Sequence, residues 1–143
     1  MRLGNLVLVG VFSSLLVGCG AAAGNAAANG QTIGVTLDEY HVQLDAASIP
    51  AGSVTFEVQN TGSEKHEFVI LKTSDAPAAL PTDPATNKVQ EEASGIEHVD
   101  EIDGVAPGGL QNLTVKLTPG TYLLVCNYPG HVHAGMVTTL TVT

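Results

Sequence analysis

Cys126, His131 and Met136 stand in one short stretch, Cys126-Asn127-Tyr128-Pro129-Gly130-His131-Val132-His133-Ala134-Gly135-Met136, with the spacing C-x4-H-x4-M. A thiolate, an imidazole and a thioether therefore fall within eleven residues. One cysteine and two histidines in a trigonal plane, with a weak and distant axial methionine, form the donor set of a mononuclear copper site. The second imidazole is expected from outside the stretch. His66, sixty residues before Cys126, opens the apolar run Phe68-Val69-Ile70-Leu71 and is the candidate.

Short strands must position these groups. Thr32 to Leu37 alternates apolar and polar residues, as do Tyr40 to Leu44 and Ser53 to Asn60, the last with Val54, Phe56 and Val58 on one face. Asn60-Thr61-Gly62-Ser63 reads as a loop, and His66 to Lys72 as a more deeply buried strand. Strand character returns at Ile96 to Ile102, Leu110 to Leu117, Tyr122 to Cys126 and Met136 to Val142. Pro77, Pro81 and Pro84 break the rhythm over residues 73 to 95, where only a short helix around Lys88 to Ala93 is expected. Seven or eight strands with regular turn signals predict an all-β protein, an antiparallel sandwich. Cys126 then ends one strand and Met136 starts its neighbour. The Tyr128-Pro129-Gly130 turn sends His131 back towards the metal, and Gly135 lets the last strand approach closely.

The chain has 143 residues, enough for one domain. Its first residues do not read as part of the fold. Met1-Arg2 is a minimal positive start, and Leu3 to Leu16 is an apolar run too short for a membrane span and suited to secretion. Leu16-Val17-Gly18-Cys19 resembles the lipobox of bacterial lipoproteins. That resemblance implies cleavage before Cys19 and a lipid on its sulfur; the alternative is an ordinary signal peptide cut near Ala21 to Ala23. The expected division is a leader at 1–18, an anchor and flexible Gly/Ala/Asn tether at 19–31, and a domain at 32–143. Lipidation of Cys19 would leave Cys126 as a lone thiol in an oxidising compartment, a hazard that burial or metal coordination removes.

Fourteen Asp and Glu against five Lys and Arg give a net charge of −9, which argues against binding nucleic acid or an anionic membrane surface. No Trp and few aromatics also argue against a base-stacking platform. Glu91, Glu92, Glu97, Asp100, Glu101 and Asp103 crowd into thirteen residues. They form either a solvated face or a docking surface for a basic partner.

Asn60-x-Gly62-x3-His66, followed by Cys126-x4-His131-x4-Met136, resembles the cupredoxins. The likeness is to bacterial blue copper proteins of the azurin and plastocyanin type, with a ligand loop of auracyanin and rusticyanin length. It covers about residues 32 to 143. It implies a Greek-key sandwich of about eight strands, one copper held by His66, Cys126 and His131 with axial Met136, and one-electron transfer. It also implies a redox partner such as a c-type cytochrome or oxidase, a monomeric state and no enzymatic activity. His133 in place of His131 would make the loop C-x6-H-x2-M, which fits that geometry poorly, so His133 is expected to face solvent. His41 and His98 are expected to be structural or surface residues.

One position departs from the pattern. Family members often carry Asn directly after the first ligand His, where it bonds to the ligand loop; here the residue is Glu67. Asn127 is then expected to act as the reciprocal donor to Glu67. The competing function is copper binding or delivery outside the cytoplasm. A delivery site would favour several open Met and His donors, and Met1 and Met136 are the only methionines. The expected address is the periplasmic or cell-surface side of a bacterial membrane, and Gly20 after Cys19 gives no clear inner-membrane retention signal.

Overall fold

The computed structural model describes residues 30–143; the leader, Cys19 and nearly all of the expected tether lie outside the described residues. The first strand, β1 (Gln31–Asp38), begins one residue before the expected domain start. It is followed by β2 (His41–Leu44), β3 (Ser48–Ile49), β4 (Gly52–Asn60), β5 (His66–Lys72), β6 (Glu97–Val105), β7 (Leu110–Leu117), β8 (Gly120–Val125) and β9 (Val137–Val142). Two sheets form, ordered β2-β1-β4-β7 and β3-β9-β8-β5-β6.

The all-β sandwich expected from the alternation is present, with two differences. The two-residue β3 carried too little pattern to read. Two pairings, β1 with β4 and β3 with β9, are parallel, whereas an antiparallel sandwich was expected. Both have one cause. After β2 the chain crosses to the far sheet, pairs briefly as β3 along the edge of β9, and returns as β4 beside β1. A strand that leaves its sheet and comes back can re-enter in the same direction.

Alternation sets the core. Ile33, Val35 and Leu37 of β1 and Val54, Phe56 and Val58 of β4 face Phe68, Ile70, Tyr122, Leu124, Leu140 and Val142 of the other sheet. β5 and β8 do not alternate, because they are buried on both faces. Their outer residues Val69, Leu71, Leu123 and Val125 pack under Leu80 and Val89 of the proline-rich segment. That segment contains a single turn of 3-10 helix at Pro77–Ala79 and an isolated bridge between Thr82 and Val89. The short helix expected at Lys88 to Ala93 does not form. Across the Thr82–Val89 bridge Gln90 N–H donates to Pro81 O and Asp83 N–H donates to Lys88 O, while Val89 gives both its N–H and its C=O to the side chain of Asn127, so these groups are not left for helical bonds.

β5 antiparallel to β8, and β8 antiparallel to β9, bring the start of β5, the end of β8 and the start of β9 to one end of the sandwich. The register Leu37↔Asn60 brings the β1–β2 junction there too. Phe56 and Phe68 join the two sheets behind that end, fully buried with ring centroids 5.4 Å apart. Phe56→Ala is expected to destabilise the protein without added metal by about 3 to 5 kcal/mol, read as a lowered urea midpoint at unchanged m-value.

Candidate metal centre

His66 is the first residue of β5, Cys126 follows the last residue of β8, and Met136 precedes the first residue of β9. His66, Cys126 and Met136 are fully buried, whereas the side chain of His131 retains 12% exposure. Sγ of Cys126 lies 3.3 Å from Nδ1 of His131 and 3.8 Å from Nδ1 of His66. The three donor atoms all fall within 4.8 Å of one another. Imidazole and thiolate bonds to zinc run from about 2.0 to 2.3 Å, so three in one plane place their donors about 3.5 to 4 Å apart. The spacing seen here suits one first-row transition metal, and a thiolate with two imidazoles and the thioether of Met136 in the same cluster is the donor set of a mononuclear copper site.

The ligand loop is held by its own backbone. Cys126 N–H donates to Met136 O at 3.1 Å, and Met136 N–H donates to His131 O at 3.0 Å. Ala134 N–H donates to Gly130 O, and His131 N–H donates to Tyr128 O. These bonds close the neck of the loop and set Met136 beside Cys126 in the same apolar cluster. Gly135 has a reason other than the expected one. A Cβ there would meet only Tyr40 O, at an ordinary 3.6 Å, but φ is +111°, where side-chain-bearing residues are strained.

Glu67 N–H donates to Sγ of Cys126 at 3.3 Å, which stabilises negative charge on sulfur. Burial nevertheless pushes the Cys126 thiol above its ordinary pKa. Deprotonation therefore depends on a cation such as a bound metal. Burial, followed by the neighbouring His66, lowers the pKa of His131 and so favours the neutral, ligating ring.

The expected side-chain bond between Glu67 and Asn127 is not made. Asn127 Oδ1 accepts Val89 N–H at 2.6 Å, and its Nδ2 donates to Val89 O at 3.1 Å and to Glu91 Oε1. It thus staples the ligand loop to the proline-rich cover. The carboxyl of Glu67 is buried, Oε2 has no hydrogen-bond partner, and burial raises its pKa above the usual carboxylate range.

His133 is exposed and stands outside the donor cluster. His41 is an exposed partner of Asp38. His98 sits 3.4 Å from Glu91 and 3.6 Å from Glu101.

Several residues at the site make contacts that the sequence did not show. Asn60 is fully buried: its Nδ2 donates to Glu64 O and Val105 O, and its Oδ1 accepts Gly62 N–H, so the side chain shapes the loop that delivers His66. Glu39 accepts Ser63 and Glu64 N–H and approaches His66. Tyr40 and Tyr128 set their rings edge-on to His131, with centroids 5.1 and 5.8 Å away.

A cupredoxin-like domain family model matches residues 8–139. The chain belongs to the cupredoxin family. Over 100 residues it is 28% identical to the iron uptake system component EfeO of Yersinia pestis, a match covering 70% of this chain and 21% of that protein. It is 34% identical over 106 residues to auracyanin-B of Chloroflexus aurantiacus, covering 67% of this chain and 44% of that one. This cupredoxin therefore spans about a fifth to less than half of those relatives. Among solved structures, auracyanin A of Chloroflexus aurantiacus, described as a "blue" copper protein, superposes with a TM-score of 0.54 at 26% identity. That match covers 78% of this chain and 98% of auracyanin A.

Asn127→Ala should leave Val89 N–H and C=O buried without partners and destabilise the protein by about 1 to 3 kcal/mol. Hydrogen exchange at the Val89 amide should accelerate far more than exchange at Leu124, in the centre of β8.

Proposed function

We propose that this cupredoxin is a type 1 copper protein that carries one electron at a time. The observation that carries the reading is the convergence of two imidazole Nδ1 atoms on the buried sulfur of Cys126. Bound copper would supply a centre that alternates between Cu(II) and Cu(I). The proposed ligands are His66, Cys126 and His131, with Met136 as the axial donor. The chain's contribution is to hold them still. The neck bonds of the loop and the double burial of β5 and β8 resist rearrangement when the charge changes.

The burial pattern supports a carrier over a delivery protein. Three of the four ligands are fully buried, so release of the metal would require the loop to open. It also supports the absence of catalysis on a bound substrate, since no ligand but His131 approaches solvent. His131 is the proposed electron port. Its proposed rim is Pro129, Val132 and Ala134 of the same loop, with the rings of Tyr40 and Tyr128 edge-on to the imidazole.

The proposed setting is the outer side of a bacterial membrane, with a lipid on Cys19 as the tether. Among the described residues no helix is long and apolar enough to cross a membrane. The proposed partner is a basic redox protein such as a c-type cytochrome or an oxidase. Glu97, Asp100, Glu101 and Asp103 are exposed along β6 and supply the complementary charge.

Loaded with Cu(II), the protein should show an intense visible thiolate-to-copper band and the matching EPR signal. The band should vanish in Cys126→Ser and survive in His133→Ala. A colourless wild type would overturn the electron-carrier reading in favour of copper delivery. Electron transfer to a basic cytochrome should slow as salt rises from 0.01 to 1 M, because the screening length falls from about 30 to about 3 Å.

A further inference from the structure

We propose that Glu39 is the positioning residue for His66. Its carboxylate receives the Nε2–H of the imidazole and thereby presents the Nδ1 lone pair to the metal position beside Cys126. The inference deepens the copper reading above and rests on it for its redox consequence.

Nε2 of His66 is completely buried and has no aligned hydrogen-bond partner. A buried imidazole nitrogen without a partner is costly, and a ligating histidine almost always gives its second ring N–H to an acceptor. The carboxylate in reach is Glu39, whose Oε1 lies 3.3 Å away, off the straight line of an N–H···O bond.

Glu39 is itself fixed by the fold. Its Oε1 accepts the N–H groups of Ser63 and Glu64, each at 2.7 Å. These backbone donors, that of Glu64 first, hold the carboxyl below its ordinary pKa. The loop makes room for it at Gly62, where a Cβ would come within 2.6 Å of Oε1. Asn60 holds the same loop from the other side through Gly62 N–H and Glu64 O. A carboxylate from the β1–β2 junction is therefore seated on the loop that leads into His66, with its oxygen towards the ring.

The two imidazoles differ in this respect. Nε2 of His131 also faces a carboxylate, but Glu64 Oε2 is 3.8 Å away on a side chain 55% exposed, where water screens it. Glu39 is itself 26% exposed, less than half as much as Glu64, and its anion acts on a ring with no exposure at all. A fixed negative charge there favours the more positive oxidation state of a bound metal.

The test uses the whole protein and two kinds of measurement. Without metal, nitrogen-15 NMR of the neutral His66 ring should show the proton on Nε2, and Glu39→Ala should mix the tautomers. Glu39→Gln keeps an acceptor oxygen and should keep the tautomer. With copper, Glu39→Gln should weaken Cu(II) about tenfold or more relative to Cu(I), which raises the reduction potential by about 59 mV per tenfold. Glu64→Gln, the same charge change at an exposed side chain, should shift the potential much less.

The proposal is overturned if wild-type His66 carries its proton on Nδ1, or if folded Glu39→Ala leaves the tautomer unchanged. It is equally overturned if Glu39→Gln and Glu64→Gln shift the potential alike. Should Glu39→Ala fail to fold, the wild-type tautomer and the two glutamine variants still decide. Should the wild type show no thiolate–copper band, the electron-carrier reading fails, and the metal-free NMR alone judges the contact.

Discussion

A single sulfur atom, fully buried at one end of an apolar sandwich, imposes the constraint that the rest of the structure meets. As a thiol, Cys126 is a small hydrophobe in the same cluster as Val58, Phe68 and Met136. As a thiolate it is a buried anion, which apolar surroundings disfavour strongly. The surroundings are arranged for the second state. Two imidazole nitrogens face the sulfur, and the backbone N–H of Glu67 points at it. A metal cation completes the balance, because it supplies the charge that the protein side chains do not.

Holding these groups without water requires a stiff frame. β5 and β8 are adjacent central strands, buried on both faces, and they deliver His66 and Cys126 from neighbouring strand ends. The outer face is closed by residues 73–96, a segment with little regular structure of its own. It stays in place because Leu80 and Val89 bury against Val69, Leu71, Leu123 and Val125, and because Asn127 engages the backbone of Val89. Asn127 follows the ligand cysteine directly, so the cover and the metal loop are mechanically one unit.

Carboxylates surround the site unevenly. Glu39 is seated against the buried His66, Glu64 approaches His131 from solvent, and Glu67 sits beneath the cover with one oxygen unpartnered. Charges in these three settings act with different strength on the same centre, since screening falls as burial rises. The exposed acidic residues of β6 lie furthest towards water and bear on solubility and encounter more than on the metal.

The chemistry of the site was legible in the sequence, because C-x4-H-x4-M is a local pattern whose spacing survives any fold that keeps the loop. The core was legible too: alternation in β1, β4 and β7 and unbroken apolar runs in β5 and β8 follow from how many faces each strand buries. Apart from the pairing of His66 with the ligand loop, contacts between distant stretches could not be read. The parallel entry of β4 beside β1, the bond of Asn127 to Val89 instead of Glu67, and the approach of Glu39 to His66 join residues 23 to 38 positions apart. Sequence by itself determined the three donors of the loop and the strand periodicity, because both are fixed by residue type and short spacing. Only the tertiary structure decided which carboxylate and which amide stand behind each ligand, because that depends on how the crossing connections bring separate loops to the same end of the sandwich.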